Sequence, residues 1–153
     1  MRGATVSQQM PVKSSVVFRL LHDYDRRLEW DTLLRKAELT RGHVKAGKGA
    51  SSLCVGRLFF GLIGMETRYL AYREGEMAAV ALINRPPFFG EFAASIRHMD
   101  NDQGSIATYK FRFTARPGFL RWLLEPVMLA VLQLETGKRL EALSKFLSRS
   151  PGG

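Results

Sequence analysis

The sequence predicts an α+β protein in which an amphipathic C-terminal helix covers one antiparallel sheet. Three observations carry this. From residue 36 to 116, short β-prone runs alternate with turn-rich separators. At the end of that region Tyr109, Phe111 and Phe113 alternate with Lys110, Arg112 and Thr114, so one face is dry and the other meets water. Further on, Leu129, Leu132, Thr136, Leu140, Leu143 and Leu147 recur at spacings of three and four, the stripe of a helix. A sheet with one aromatic face must bury it, and that helix is the available cover.

The elements follow in order. An alternating start, "TVSQQM", leads to Pro11 and the Ser14–Ser15 pair, where a serine can cap the short helix "SVVFRLL" that ends near His22. A second short helix is expected in "DYDRRLEWDTLL", with Asp23 as its N-cap and Leu28, Leu33 and Leu34 giving Trp30 its apolar contacts. Strands are expected in "KAELT", "SSLCVGRLFF", "METRYLAY", "AAVALIN", "FFGEFAASIRH" and "SIATYKFRFTA". Gly42, Gly47, Gly49, Gly61, Gly64, "REGE", "RPP" and "NDQG" separate them as hairpin connections. Pro126 should break or restart the last helix, because it removes a backbone donor and crowds the preceding turn. No repeat or linker divides the chain, so residues 1–153 are expected to form one domain with a frayed end over 149–153.

Composition narrows the function. At 153 residues, 46% hydrophobic and 24% charged, the chain has the make-up of a globular domain with a continuous core. No uninterrupted apolar run of about 18 residues is present to span a bilayer. The opening "MRGATVSQQMPVKSS" has no apolar core or cleavage site, and Cys54 has no second cysteine to pair with. The expected location is therefore the cytoplasm. The net charge of +9 is densest over residues 35–48, but no aromatics interleave there and no recognition helix follows. No nucleic-acid partner is expected.

Candidate chemical motifs mostly dissolve on inspection. "GHVKAGKG" comes within one residue of a phosphate-binding loop, yet Gly49 stands where a magnesium-binding hydroxyl is needed. It reads as a hairpin connection. His22, His43 and His98 are far apart and lack metal-ligand spacing, so no metal and no cofactor are expected. No G-x-S-x-G elbow is present, and Cys54 has no recognisable base. Glu66, Glu91 and Glu135 read as surface carboxylates. Trp30 reads as a structural plug at the end of the core. Asp31 reads as a non-catalytic surface residue bonded to nearby backbone or to Arg27, and Asp31→Asn should then change stability only modestly.

Taken together, "VVFRLLHDYDRRLEWDTLL", "ETRYLAY", "SIATYKFRFTARP" and "ETGKRLEALSKFL" resemble the START-like (SRPBCC) superfamily, in its polyketide cyclase/dehydrase-type branch. The resemblance runs from about residue 4 to 148. It implies a helix-grip fold: a curved antiparallel sheet wrapped around the long C-terminal helix, with two short helices after the first strand. It also implies an apolar cavity for lipids, sterols, polyketides or hormones, used by some members for cyclisation or dehydration and by others for binding alone. Small inward residues such as Ala94 and Ala107 beside Phe92 and Tyr109 are compatible with a cavity and equally with tight packing. The expected cavity residues are Tyr69, Phe92, His98, Tyr109, Phe111, Leu132, Thr136 and Leu140, with Tyr69, Tyr109, Thr136 and His98 as its polar groups. Three readings stay open: a carrier of an apolar small molecule, a cyclase/aromatase or dehydratase using the same cavity, and a lipid-transfer protein touching membranes through residues 35–48 and "LFFGLIG".

Overall fold

The computed structural model describes residues 2–31, 33–56 and 64–149. Seven strands form one antiparallel sheet: β1 (Arg2–Met10), β2 (Leu34–Thr40), β3 (Ser51–Gly56), β4 (Gly64–Arg73), β5 (Met77–Leu82), β6 (Phe89–Asn101) and β7 (Gly104–Ala115). Their spatial order is β1-β7-β6-β5-β4-β3-β2. Two short helices, α1 (Ser14–Leu21) and α2 (Arg27–Trp30), follow the first strand, and α3 (Arg121–Arg149) ends the chain after a 3-10 turn at Gly118–Leu120. The register shifts between Tyr69 and Ala71 in β4 and between Phe89 and Phe92 in β6. Such bulges bend the bulged strand, and here they accompany a sheet that curves around α3. This is the helix-grip architecture.

The alternation in β7 works as expected. Phe111 and Phe113 are buried, whereas Lys110 and Arg112 face water. On α3, Thr136, Leu140, Leu143 and Leu147 are buried, while Leu129 and Leu132 pack against the Phe89, Phe111 and Phe113 cluster. The helix lies mainly across β1 and β7. Its start is fastened to the end of β7: Glu125 Oε2 accepts the Ala115 N–H at 2.9 Å, and Arg121 Nε donates to the Ala115 carbonyl at 2.9 Å.

Several local expectations are corrected. Neither serine caps α1; Lys13 is the capping residue, and the Ser14 N–H donates to Asp100 Oδ1 at 2.7 Å. A carboxylate from the β6–β7 hairpin thus meets the positive end of the helix. Asp23 does not cap α2 either. Its Oδ1 accepts the Asp25 N–H at 3.2 Å, and this local turn delays the helix until Arg27. Leu28 points to solvent and is 48% exposed. Pro126 lies inside α3 without ending it. As the sixth residue, it removes only the bond to the Trp122 carbonyl, and the helix continues for about six more turns with buried side chains. The "GHVKAGKG" segment spans the β2–β3 connection and leads into β3, not into a helix with an anion-binding end. Most of "LFFGLIG" lies outside the described residues.

Trp30 and Asp31 separate from their charged neighbours. Trp30 is 2% exposed within the main core cluster, and the Arg27 guanidinium carbon sits 4.9 Å from its ring centroid. Asp31 is not a surface residue: it is 1% exposed. Its Oδ2 lies 3.0 Å from Arg27 Nε and 3.1 Å from Arg139 Nε, and its Oδ1 accepts the Leu33 N–H at 3.3 Å. Buried carboxylates persist only when paired, and two arginines supply the pairing.

Candidate functional site

Between the concave face of the sheet and α3 lies a cavity of about 180 Å³. The helices α1 and α2 and the segment between them close one side through Leu21, His22, Tyr24 and Arg27. Strands β2 to β7 supply its sheet wall, β2 through Leu34 alone, and α3 contributes Leu132, Glu135, Thr136, Arg139 and Leu140. Seven of the eight residues expected at the cavity line it: Tyr69, Phe92, Tyr109, Phe111, Leu132, Thr136 and Leu140. His98 does not. Its ring lies outside the cavity, edge-on to Phe18 at 5.6 Å, and neither ring nitrogen has a hydrogen-bond partner among the described residues. The alternation that aims Phe92, Ala94 and Ile96 inward carries His98 past the cavity end, beneath α1.

The wall is divided. One part is apolar, built from Phe92, Ala94, Phe111, Leu132, Met65 and Val80. The other is polar, with His22, Tyr24, Arg27, Ser52, Cys54, Tyr69, Glu135 and Arg139. In the polar part a hydrogen-bond chain runs from α1 to β3. Tyr24 donates its hydroxyl proton to Ser52 Oγ at 3.0 Å. Tyr24 and Tyr69 are joined at 2.9 Å, so Tyr69 must be the donor there. His22 Nδ1 lies 2.7 Å from the Tyr69 hydroxyl and donates to it, which fixes the proton on Nδ1. Burial, with help from Arg27 and His98, lowers the His22 pKa to about 3. Burial also raises the phenols of Tyr24, Tyr69 and Tyr109 and the Cys54 thiol. These groups are neutral near pH 7, and the chain offers oriented donors and acceptors without charge.

Charge enters through Arg27, Arg139 and Glu135. The two arginines converge on one Asp31 oxygen from opposite elements, α2 and α3. Arg139 Nε faces that oxygen at ion-pair distance without hydrogen-bond alignment. Glu135 is half-buried at the cavity and not the surface carboxylate expected of it; burial raises its pKa against the pull of Arg139 and Lys138. Glu66 behaves differently: Arg41 and Thr40 hydrogen-bond its carboxylate and lower its pKa. Glu91 is exposed. Sequence reasoning missed Glu135 and Arg139, although the signal was present. Leu132, Glu135, Thr136, Arg139 and Leu140 follow the i, i+3, i+4, i+7, i+8 spacing of one helix face.

Comparison with known proteins adds the family. The profile described as polyketide cyclase/dehydrase and lipid transport matches residues 1–147. The chain belongs to that family. TTHA0849 from Thermus thermophilus superposes on this family member with a TM-score of 0.81 at 11% identity, covering 99% of this chain and 100% of its own. The Zhui aromatase/cyclase from Streptomyces sp. R1128 gives a TM-score of 0.76 at 14% identity, covering 99% and 98%. Ara h 8.0201 gives 0.74 at 14% identity, covering 97% and 99%. At these identities the likeness is one of fold. No curated protein matches the sequence significantly. No described helix of this cyclase/dehydrase and lipid transport family member is long and apolar enough to cross a membrane, and no group of three or more His, Cys, Asp or Glu among the described residues could hold a metal.

The buried histidines make stability depend on pH. His98, like His22, is desolvated, and its pKa is lowered to about 4. Below the unfolded value of 6.5 the unfolded chain takes up protons that the folded chain refuses. Stability is therefore intact above pH 6.5 and falls as the pH drops toward 4, by up to about 1.4 kcal/mol per pH unit for each histidine. Urea unfolding between about pH 7.5 and 4.5 measures the slope. Replacing His98 by Phe should remove about half of it, and an unchanged slope would refute this assignment.

Proposed function

We propose that the protein binds and carries an apolar small molecule, lipid or polyketide-like, in the cavity between sheet and α3. The observation that carries this reading is the cavity itself: a partly open, largely apolar space with fixed polar groups on one side, the usual make-up of a small-molecule site. In this reading Phe92, Phe111, Leu132 and Leu140 contact the ligand body. Tyr69, Tyr109 and Thr136 orient it, and Trp30 holds the wall in place from behind. Membership of a family whose description includes lipid transport supports it.

Thr136→Trp tests the proposal, because residue 136 faces the cavity from the middle of α3. The indole is expected to enter the space, displace the neutral fluorophore N-phenyl-1-naphthylamine and leave the melting temperature nearly unchanged. If the interior were filled instead, overpacking would cost about 1–3 kcal/mol. A thermal melt and a fluorescence titration read both quantities.

A second reading, catalysis of cyclisation, aromatisation or dehydration in the same cavity, is favoured by the His22–Tyr69–Tyr24–Ser52 chain and by Glu135. These are groups able to pass or hold a proton beside a bound substrate. Turnover of a poly-β-keto thioester, lost in a folded Glu135→Gln variant, would establish it.

A further inference from the structure

Two guanidinium groups, those of Arg27 and Arg139, line the polar part of the cavity. Arg27 Nε donates to Asp31 Oδ2 at 3.0 Å, and Arg139 Nε lies 3.1 Å from the same oxygen without hydrogen-bond alignment. Arg27 spends Nη1 on the Leu21 carbonyl at 3.2 Å. Its Nη2 and both Nη groups of Arg139 make no hydrogen bond to a described residue, and both side chains line the cavity. Two cations therefore share one carboxylate, and Asp31 lies behind them, off the cavity wall. Glu135 is the other carboxyl group at this wall among the described residues; burial raises its pKa, while Arg139 and Lys138 lower it.

We propose that the cavity takes an amphipathic carboxylic acid, its apolar body against Phe92, Phe111 and Leu132 and its carboxylate on the guanidinium groups of Arg27 and Arg139. The inference rests on the carrier reading above and narrows it to a ligand class. A guanidinium offers paired N–H groups in a plane that matches a carboxylate, and in a space shielded from water such bonds are stronger than neutral ones. The geometry is also preorganised: Asp31 hydrogen-bonds Arg27 Nε and pairs with Arg139 through charge, and Arg27 Nη2 and both Nη groups of Arg139 have no hydrogen bond to a described residue. A wholly neutral ligand would fill the apolar part and leave these N–H donors without a charged partner. The division of the wall supplies the second half of the recognition, since an acid with a short or polar body gains nothing from the aromatic end.

The experiment compares 11-(dansylamino)undecanoic acid with its methyl ester, which share chromophore and chain, in fluorescence titrations at about pH 7.5, where the carboxyl group is ionised. The acid should bind about tenfold more tightly than the ester, as one charge-assisted contact allows. Arg139→Gln should abolish that preference while the ester keeps its affinity, and Arg139→Lys, which retains the charge, should restore part of it. A melt of each variant confirms folding. Equal affinities for acid and ester in the unmutated protein would overturn the inference, as would equal loss of both probes in folded Arg139→Gln. If neither probe binds, the cavity reading itself falls, and this inference with it.

Discussion

Asp31→Asn is expected to lower the free energy of unfolding by about 3–5 kcal/mol, the usual cost of removing one partner from a buried ion cluster. The amide keeps the shape of the carboxylate and can still accept the Leu33 N–H. What it lacks is the charge, so Arg27, whose side chain is 10% exposed, and Arg139, at 25%, are left to repel each other across the same space. A loss of this size corresponds to a fall in melting temperature of about 6–20 °C for a domain of this length. The double variant Asp31→Asn with Arg139→Gln should recover part of the loss, because it removes the repulsion along with the attraction. A change below about 0.5 kcal/mol would be typical of a surface residue and would contradict the geometry.

Trp30→Ala is expected to cost a similar amount, about 3–5 kcal/mol, for a different reason. The indole is almost wholly buried in the cluster with Val17, Phe18, Leu21 and Leu143, and its removal leaves a cavity in that cluster. The variant also removes the ring beneath the Arg27 guanidinium. Arg27 then loses a flat support on one side, and its grip on Asp31 should loosen. Trp30→Phe, which restores a smaller ring, should recover about half of the loss. Chemical denaturation followed by far-ultraviolet circular dichroism reads the loss in either variant, since Trp122 is largely exposed and its emission changes little on unfolding.

Much of the fold was legible because sheet and helix leave periodic traces. Tyr109, Phe111 and Phe113 announced one face of β7, and Leu140, Leu143 and Leu147 one face of α3. Their burial follows from the same periodicity that made them visible. The caps were less legible, because capping here is settled by contacts distant in sequence. Asp100 reaches α1 from another hairpin, eighty-six residues away from Ser14, and no local pattern could have named it. The cavity was legible in its apolar members and nearly invisible in its charged ones. Arg27, Glu135 and Arg139 read individually as solvated side chains, since charged residues are seldom buried. Only the helical spacing that Glu135 and Arg139 share with Thr136, and the pairing of Arg27 with Asp31 one turn later, marked them out. The charged stretch around Trp30 thus resolves into two faces. One carries Arg26 and Glu29 outward as a surface pair, and the other turns Trp30, Arg27 and Asp31 toward the core and the cavity.

The central claim is that the cavity holds one apolar molecule, and native mass spectrometry tests it most directly. The freshly purified protein, and the same protein after incubation with a lipid extract and with N-phenyl-1-naphthylamine, should show a one-to-one adduct that disappears on denaturation. Thr136→Trp should show none or a much reduced fraction. Bare protein mass in every sample of the folded, unmutated chain, with no saturable fluorescence change in solution, would contradict the account.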